Sequence, residues 1–429
     1  MIDLNQIFTE VDNIDRDKVL EMFQDLINID TTNPPGNTYR NYVDVISPYF
    51  KNLNYDLEEI IVPYELIEQI PYPLEGSRVN LVARKNFGQI KDITFCGHMD
   101  VVPAPNEGSQ KWRFPPFEAT MLKSGKIYGR GVGDDKGPMI CLILALEFIE
   151  KLELTPKYNI HVLNCTDEEV GFYPGIRYLA EQGYIKGTIF SLDFAIEPMI
   201  LMGTVGDLDI EIETIGRSSH SGLSLMGVNA LEEMIPILFE LKKLKEKVET
   251  RQSKDIPGLP DPKTKDKRNL TPLFNLDVIN SGEKANIIPD FCSLIINRRI
   301  IPDENIEDVK EEILEAIEKG KAKSNALDVK VSFKYSYPPL KVDVMSPEIQ
   351  RMKKVIQLVH NLPEERIQMT GWTTTFDVSF VSQILNTQEI IFRGVATGGT
   401  NTHGVNESIR LKDIKKCIKE IIVFLCAEI

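Results

Sequence analysis

The sequence lacks the features that three common classes of protein need. No apolar run approaches the ~20 residues of a membrane-spanning helix, which argues against an integral membrane protein. The formal net charge is −15, from 49 basic and 64 acidic residues. This argues against nucleic acid as a partner, because phosphate binding needs a basic surface. The acidic N-terminus also lacks the basic and apolar regions of a signal peptide, so we expect a cytoplasmic protein.

Cysteine and histidine are scarce. The six cysteines stand singly in apolar segments without a CxxC pair, which predicts reduced core residues rather than disulfides or a thiolate zinc site. One of only five histidines, His98, lies in the apolar run TFCGHMDVVPA, two residues before Asp100. In a strand these two side chains point to the same face. They form either a buried structural pair or a metal ligand with its orienting carboxylate.

The apolar segments predict an α/β fold with an insertion. Up to residue 206, near-continuous apolar strands alternate with helices, which indicates a mostly parallel sheet covered on both faces. From DLDIEIETIG onwards the pattern becomes strand, helix, strand, strand, helix, strand. This order is typical of a ferredoxin-like domain. We therefore predict a larger domain of residues 1–206 and 339–429 and an inserted domain of residues 207–338.

Acidic residues and a second histidine stand where predicted strands end. YGRGVGDDKGP contains Asp134, CTDEEVG contains Glu168 and Glu169, LDFAIEP contains Glu197, and GGTNTHGVNE contains His403. Taken singly, each cluster also fits a structural role, such as a helix N-cap or a solvated run of charge.

Taken together, these clusters and His98 predict a metal centre. Open α/β sheets bind ligands at the carboxyl ends of their strands. The nitrogen and oxygen ligands available there suffice for two zinc ions that share one carboxylate, with positions left for water and substrate. The predicted ligands are His98, Asp134, Glu169, Glu197 and His403. Glu168, adjacent to a ligand but not needed as one, is the candidate general base.

The ordered motifs GHMD, GRGVGDDKG, DEE, EP, GRSSHSG and HGVNE resemble those of the ArgE/DapE/aminoacylase/carboxypeptidase family of dinuclear zinc hydrolases. The resemblance implies a catalytic domain of the zinc-exopeptidase type with two Zn²⁺, or alternatively Co²⁺ or Mn²⁺. The implied ligand set is a bridging Asp134, with His98 and Glu197 on one ion and Glu169 and His403 on the other. Asp193 is the alternative to Glu197, because some dipeptidase relatives bind the metal through an aspartate in this region.

The same resemblance implies roles for other residues. Asp100 would orient His98, and Glu168 would be the base. The inserted domain would serve as a lid and form a homodimer. His220, in GRSSHSG, would reach the active site of the other subunit and polarise the scissile carbonyl. The implied substrate-binding residues are Asn286, in KANIIPD, and Arg299, in NRRIIPDE.

The activity implied is metal-dependent amide hydrolysis of N-acyl amino acids, of the acetylornithine or succinyl-diaminopimelate type. Arg299 is suited to a bidentate grip on a substrate carboxylate, which favours N-acyl amino acids or short peptides with an unblocked C-terminus. A metal-dependent carboxypeptidase or dipeptidase is the alternative. A catalytically silent metabolite-binding homologue is an alternative of another class, and the intact DEE triplet argues against it.

Overall fold

A computed structural model describes residues 3–70, 73–105, 111–171, 173–260 and 264–429. The chain divides into two compact units. The larger unit comprises Met1–Leu201, Val342–Met369 and Phe380–Ile429, and the smaller comprises Met202–Lys341 and Thr370–Ser379. The boundaries predicted for the insertion, 207–338, fall inside the first segment of the smaller unit. The second segment, Thr370–Ser379, falls within residues 339–429, which the sequence predicts as part of the larger domain.

The helices and strands are as follows in chain order. The helices are α1 (Leu4–Asp12), α2 (Arg16–Ile27), α3 (Tyr39–Asn52), α4 (Tyr64–Ile67), α5 (Lys136–Lys151), α6 (Ile176–Glu181), α7 (Ala230–Val248), α8 (Ile306–Lys321), α9 (Pro347–His360), α10 (Val378–Leu385) and α11 (Leu411–Cys426). The strands are β1 (Asp56–Ile61), β2 (Val79–Lys85), β3 (Asp92–His98), β4 (Thr120–Met121), β5 (Lys126–Tyr128), β6 (Asn159–Cys165), β7 (Thr188–Ser191), β8 (Met199–Thr204), β9 (Gly206–Ile215), β10 (Leu273–Ser281), β11 (Phe291–Ile300), β12 (Asp328–Tyr337), β13 (Leu340–Lys341), β14 (Gln368–Trp372), β15 (Ile390–Phe392) and β16 (Ser408–Arg410).

The larger unit is built on a mixed sheet with the strand order β1-β2-β6-β3-β7-β15. Strands β6, β3, β7 and β15 are parallel to one another, whereas β1 and β2 join one side of the sheet in antiparallel pairings. Strand β3 is buried along nearly its whole length, as expected for a parallel strand with both faces covered. The predicted α/β class is confirmed.

Helix α5 explains how the parallel strands are covered. Its sequence, KGPMICLILALEFIEK, is apolar on almost every face, and nearly all of its residues are buried. A helix that is apolar all round needs packing partners on several sides. Helix α5 packs against β3, α2 and α11, and its first residue directly follows the turn that carries Asp134 and Asp135.

The smaller unit contains an antiparallel sheet with the strand order β10-β11-β9-β12. Its elements follow one another as β9, α7, β10, β11, α8 and β12. Burial alternates along β9, where Leu208, Ile210 and Ile212 enter a core formed with α7 and α8. Side chains of Asn229 and Asn305 accept backbone hydrogen bonds at the starts of the two helices, which satisfies donors that the helices leave unpaired.

Among the residues that the structure describes, no helix is both long and apolar enough to cross a membrane.

A buried ion pair connects the end of the sheet in the larger unit to the last helix. Arg393, next to the last residue of β15, donates to both carboxylate oxygens of Glu420 in α11 at 2.7 Å. His360 Nε2 lies 2.7 Å from the same carboxylate. The other guanidinium hydrogens bind the carbonyl oxygens of Ile196, Glu197 and Met199. The network therefore fixes the turn that follows β7.

Loss of the Glu420 carboxylate should destabilise the larger unit strongly. Glu420→Ala leaves the Arg393 guanidinium buried without its counter-ion, and breaking such a pair costs about 3–5 kcal/mol. Urea unfolding of the metal-free protein measures the change. The control is Glu364→Ala, because Glu364 pairs with Lys353 at 2.5 Å and is largely exposed; such exposed pairs contribute about 0–1 kcal/mol.

This loss should depend on pH with a defined sign. Burial alone would raise the pKa of Glu420, but Arg393 and His360 hold it below its usual value. The folded state therefore binds fewer protons at this site than the unfolded state, and the stabilisation is fully present above the ordinary Glu pKa, about 4.3. It is lost as the pH falls through the folded-state pKa. A difference between wild type and Glu420→Ala that did not narrow in acid would contradict this account.

Candidate metal centre

The chemically reactive residues follow the parallel strands at one edge of the sheet. His98 is the last residue of β3 and pairs in register with Cys165, the last residue of β6. The DEE triplet therefore begins two residues beyond Cys165. Asp193 comes two residues after the end of β7, and the chain after β15 reaches His403. The carboxyl ends of parallel strands meet at the same edge, which brings these distant segments together.

One group of potential ligands consists of Asp134, Glu169 and His403. Their ligand atoms all lie within 4.8 Å of one another. His403 Nε2 is 3.1 Å from Asp134 Oδ2 and 3.1 Å from Glu169 Oε2. The imidazole nitrogen thus faces two carboxylate oxygens, as a histidine ligand would in a site shared with two carboxylates.

A second group consists of His98, Asp134 and Asp193, again with ligand atoms within 4.8 Å of one another. His98 Nε2 is 2.9 Å from Asp134 Oδ1. The two oxygens of Asp134 therefore face different histidines, one in each group. A carboxylate placed in this way is suited to bridging two cations.

Glu197, which the sequence predicted as a ligand, belongs to neither group. Strand β7 ends at Ser191, so Asp193 is closer to the strand end than Glu197, which the sequence predicts there. Glu197 lies further along the turn, and its Oε1 accepts a hydrogen bond from Gly398 N at 3.0 Å. The geometry thus favours Asp193, the alternative ligand, over Glu197.

Asp100 connects His98 with the DEE loop. His98 Nδ1 lies 3.0 Å from the Asp100 carbonyl oxygen and 3.5 Å from its Oδ1. The carboxylate of Asp100 also accepts the backbone N–H of Glu168 at 3.2 Å and that of Glu169 at 3.0 Å. One buried carboxylate therefore orients a ligand of one group and the backbone of a ligand of the other.

A further support of this loop was not predicted from the sequence. Asn33 Nδ2 donates to Asp100 Oδ2 at 3.2 Å and to Asp167 Oδ1 at 3.1 Å. Asp167 also pairs with the fully buried Arg78 at 3.2 Å. The turn TTNPPGN contained a signal, a polar Asn among residues that fix a turn, but the sequence gives no indication of its partner.

The electrostatics of the two groups are dominated by the carboxylates. Burial would lower the pKa of His98, but hydrogen bonds to Asp100 and Asp134 raise it well above its usual value. Hydrogen bonds to Asp134 and Glu169 raise the pKa of His403 to about 10. Burial would raise the pKa of Asp134, yet the two histidines hold it below its usual value. Positive charge is therefore strongly favoured between these carboxylates.

Divalent cations fit this donor set. Imidazole nitrogens and carboxylate oxygens without a thiolate suit Zn²⁺, and also Co²⁺ or Mn²⁺. His98 carries the orienting contact on its other ring nitrogen that metal-bound histidines usually have. The shared Asp134 and the demand for positive charge on both of its sides agree with two cations rather than one.

The three remaining predicted residues lie in the smaller unit. His220 is exposed, and its Nδ1 accepts the N–H of Gly222 at 3.0 Å. Asn286, also exposed, lies beside it, because Ser221 N donates to Asn286 O at 3.0 Å. Arg299 lies near the opposite end of β11, where its Nη1 is 3.5 Å from Asp207 Oδ2. The structure thus brings His220 and Asn286 together and places Arg299 elsewhere.

A known family matches the part of the chain that contains these residues. The model of peptidase family M20/M25/M40 matches residues 94–425, well over half of the chain. The chain belongs to this family. The resemblance inferred from the motifs is thereby confirmed, and the protein is a metal-dependent hydrolase.

Two relatives and one solved structure illustrate the range of M20 proteins that this chain resembles. It is 30% identical to an acetylornithine deacetylase of Proteus mirabilis over 313 residues, which cover 72% of this chain and 73% of the relative. It is 26% identical to an uncharacterised metallohydrolase of Methanocaldococcus jannaschii, over 93% of this chain and 97% of the relative. A di-peptidase from Saccharomyces cerevisiae has the same fold, with a TM-score of 0.73 at 15% identity over 98% of this chain and 97% of that one.

Replacement of Asp193 should remove metal binding, whereas replacement of Glu197 should not. Asp193→Ala deletes one of three ligands in the His98 group, so we expect tight binding to fall from two equivalents towards one. Glu197→Ala is the matched control on the same turn, and it should retain two equivalents. Elemental analysis after dialysis against buffered zinc measures both. Loss of one equivalent in Glu197→Ala, with none lost in Asp193→Ala, would restore Glu197 as the ligand.

Proposed function

We propose that this protein removes the acyl group from N-acyl amino acids by metal-dependent amide hydrolysis. The observation that carries the proposal is the pair of ligand groups that share Asp134, with a further carboxylate, Glu168, next to one ligand. Two cation sites that share a carboxylate are typical of hydrolases that hold a carbonyl and a water molecule together. A binding protein would not need the additional Glu168.

The cations that we propose are two Zn²⁺, with Co²⁺ or Mn²⁺ as alternatives. His98 and Asp193 would hold one and Glu169 and His403 the other, with Asp134 between them. When bound, the ions would lower the pKa of a water molecule and polarise the substrate carbonyl.

Glu168 is the residue that we propose for proton transfer. Its backbone N–H is held by Asp100 Oδ1 at 3.2 Å, and its half-buried side chain belongs to the same loop as Glu169. As the water attacks the carbonyl carbon, the Glu168 carboxylate would accept its proton. It would then deliver that proton to the leaving nitrogen as the amide bond breaks.

Arg299 is the residue that we propose for binding the substrate carboxylate. Its Nε donates to Asn297 Oδ1 at 3.0 Å, and Asp207 lies near its Nη1. These contacts hold the guanidinium in one orientation on β11, while its side chain remains 27% exposed. A fixed and accessible guanidinium can form two parallel hydrogen bonds with a carboxylate.

The substrate class that we favour is an N-acyl amino acid of the acetylornithine or succinyl-diaminopimelate type. The support is the likeness to a deacetylase of Proteus mirabilis, which spans most of both chains. A carboxypeptidase or dipeptidase is the second candidate, because Arg299 would bind the C-terminal carboxylate of a peptide equally well.

We also propose that each active site is completed by a second subunit. His220 and Asn286 lie beyond one end of β11, whose first residue is Phe291, and Arg299 lies at the other end. The eight-residue separation between Phe291 and Arg299 corresponds to about 26 Å along a strand. A single small substrate does not span this distance. If His220, Asn286 and Arg299 contact one substrate, they must come from different copies of the smaller unit.

The smaller unit carries an apolar surface suited to such a dimer. Strand β10 lies at an edge of its sheet, and Leu276, Val278 and Ile279 on it are exposed. Helix α7, which packs next to β10, exposes Leu231, Ile235 and Phe239 at intervals of four residues. Exposed apolar groups beside a strand edge are typical of protein interfaces. The proposed ferredoxin-like lid would therefore also be the dimerisation domain.

Replacement of Glu168 should separate catalysis from metal binding. Glu168→Gln should reduce kcat for N-acetyl and N-succinyl amino acids by about 10²–10⁴-fold, because it removes general base catalysis. Metal content should stay at two equivalents. The assay compares these substrates with dipeptides, using protein stripped of metal and reloaded with Zn²⁺ or Co²⁺.

Glu169→Gln is the matched control for that variant, because it alters the neighbouring ligand and should lose metal first. Equal loss of metal in both variants would refute the assignment of base and ligand. Faster hydrolysis of dipeptides than of any N-acyl amino acid by the wild type would favour the peptidase alternative.

Mixed dimers should reveal whether His220 acts across the interface. His220→Ala should bind two metals and dimerise, yet lose most of kcat with little change in KM, because the contact strengthens in the transition state. Mixed with Glu168→Ala subunits, it should regain activity, because each heterodimer contains one site in which both residues are wild type. Verified heterodimers without activity would show that His220 acts within its own subunit or not at all.

A further inference from the structure

Glu407, in the motif HGVNE, is a buried carboxylate to which the proposed mechanism assigns no role. Its side chain is fully buried. Glu407 Oε2 accepts hydrogen bonds from Arg130 Nη1 at 2.7 Å and Gly131 N at 3.1 Å, and Oε1 accepts from Gly133 N at 2.8 Å. Its backbone carbonyl also accepts the N–H of Gly129 at 3.2 Å. Every one of these donors belongs to the turn that leads into Asp134.

Arg130 extends this contact to the turn that carries His403. Arg130 Nη2 donates to the carbonyl oxygen of His403 at 3.2 Å and to that of Pro103 at 3.3 Å. The guanidinium also lies over the ring of Trp112, 5.3 Å from its centroid. It is buried and positioned between the two turns, so its position depends on the Glu407 carboxylate.

The two turns pack closely where these contacts form. Gly131 has a φ of +87°, a conformation that favours glycine. A Cβ built on Gly133 would lie 2.5 Å from Thr400 Cγ2 and 3.4 Å from Glu407 Oε1. The absence of side chains at Gly131 and Gly133 thus allows the backbone N–H groups to reach the carboxylate directly.

His403 needs such a support more than the other ligands do. Its side chain is 54% exposed, whereas that of His98 is 2% exposed. It also adopts a φ of +62°, which costs a residue with a Cβ free energy. The hydrogen bond from Arg130 Nη2 to the His403 carbonyl oxygen holds the backbone of this residue in that conformation.

We infer that Glu407 is a positioning residue of the metal centre, which acts through Arg130 to hold the Asp134 and His403 turns at the separation that two ligands of one cation require. Glu407 would not contact the metal or the substrate. This inference rests on the proposed metal binding of the Asp134, Glu169 and His403 group. Residues that orient metal ligands typically change metal affinity by about 10–100-fold when replaced.

The test is a cobalt titration of the metal-free protein, followed by visible absorption of the bound Co²⁺. His403→Ala first identifies the binding step that belongs to the Asp134, Glu169 and His403 group. Glu407→Gln should weaken the same step by about 10–100-fold. An amide cannot replace the carboxylate here, because donors face both of its oxygens and the amide NH₂ would oppose one set. Arg130→Lys should act in the same direction, because an ammonium cannot reproduce the planar fork of donors.

Glu348→Gln is the matched control, because Glu348 is a buried carboxylate of the same unit that pairs with Lys91 at 2.6 Å and touches neither turn. It should leave both cobalt steps unchanged, and thermal unfolding of the metal-free proteins shows whether each variant still folds. Three results would overturn the inference: wild-type cobalt affinity in Glu407→Gln, the same cobalt defect in Glu348→Gln, or failure of both Glu407→Gln and Arg130→Lys to fold. Wild-type protein that bound fewer than two cobalt ions would instead count against the proposed function.

Discussion

The repulsion between the carboxylates that converge at Asp134 is the constraint on which the candidate site depends. Asp134 lies between two other acidic ligand candidates, Glu169 and Asp193, and like charges so close together repel one another. In the metal-free chain the imidazoles of His98 and His403 supply the compensating charge, which is why their pKa values rise. A bound divalent cation would supply the same positive charge at the same places in exchange for these protons.

Two neighbouring buried carboxylates, those of Asp100 and Asp167, are stabilised by neutral and cationic groups. The carboxylate of Asp100 is bound by backbone N–H groups and by Asn33, and Asp167 is bound by Arg78. Each of these groups comes from a different part of the chain. The geometry of the candidate metal centre therefore depends on these buried polar contacts as well as on the ligands themselves.

The sequence was sufficient for the fold class and for most of the candidate site. Apolar strands followed by acidic residues or histidine led to His98 and Glu169, which lie at or just beyond the ends of β3 and β6. Asp134 and His403 were found from their glycine-rich motifs instead, because Asp134 follows β5, a strand of a separate antiparallel sheet, and His403 lies in a turn well beyond β15. The exception is instructive. LDFAIEP continues the apolar character of β7 beyond its last residue, Ser191, so the sequence placed the strand end near Glu197. The true end depends on hydrogen bonding with β3 and β15, which a single sequence does not reveal.

The polar contacts between distant segments were the part that could not be predicted. Arg78, Arg130 and Arg393 are fully buried arginines whose partners are far away in sequence. Residue type alone predicts an arginine on the surface, and nothing in the local pattern indicates otherwise. The insertion likewise has an order of elements that can be recognised in the sequence. The inclusion of Thr370–Ser379 in the smaller unit cannot, because it depends on contacts with residues that are distant in sequence.

The position of Glu420 in α11 has a consequence for the order in which the proposed metal centre can form during synthesis. Arg393 fixes the turn after β7 only when α11 has supplied its carboxylate, and His403 precedes that helix by a few residues. A nascent chain that still lacks this region holds its other carboxylates without these partners. Because synthesis runs from the N-terminus, the groups at His403 and Glu420 are added after all the other groups named here, and the proposed metal centre could assemble only once residues 403–420 have been made.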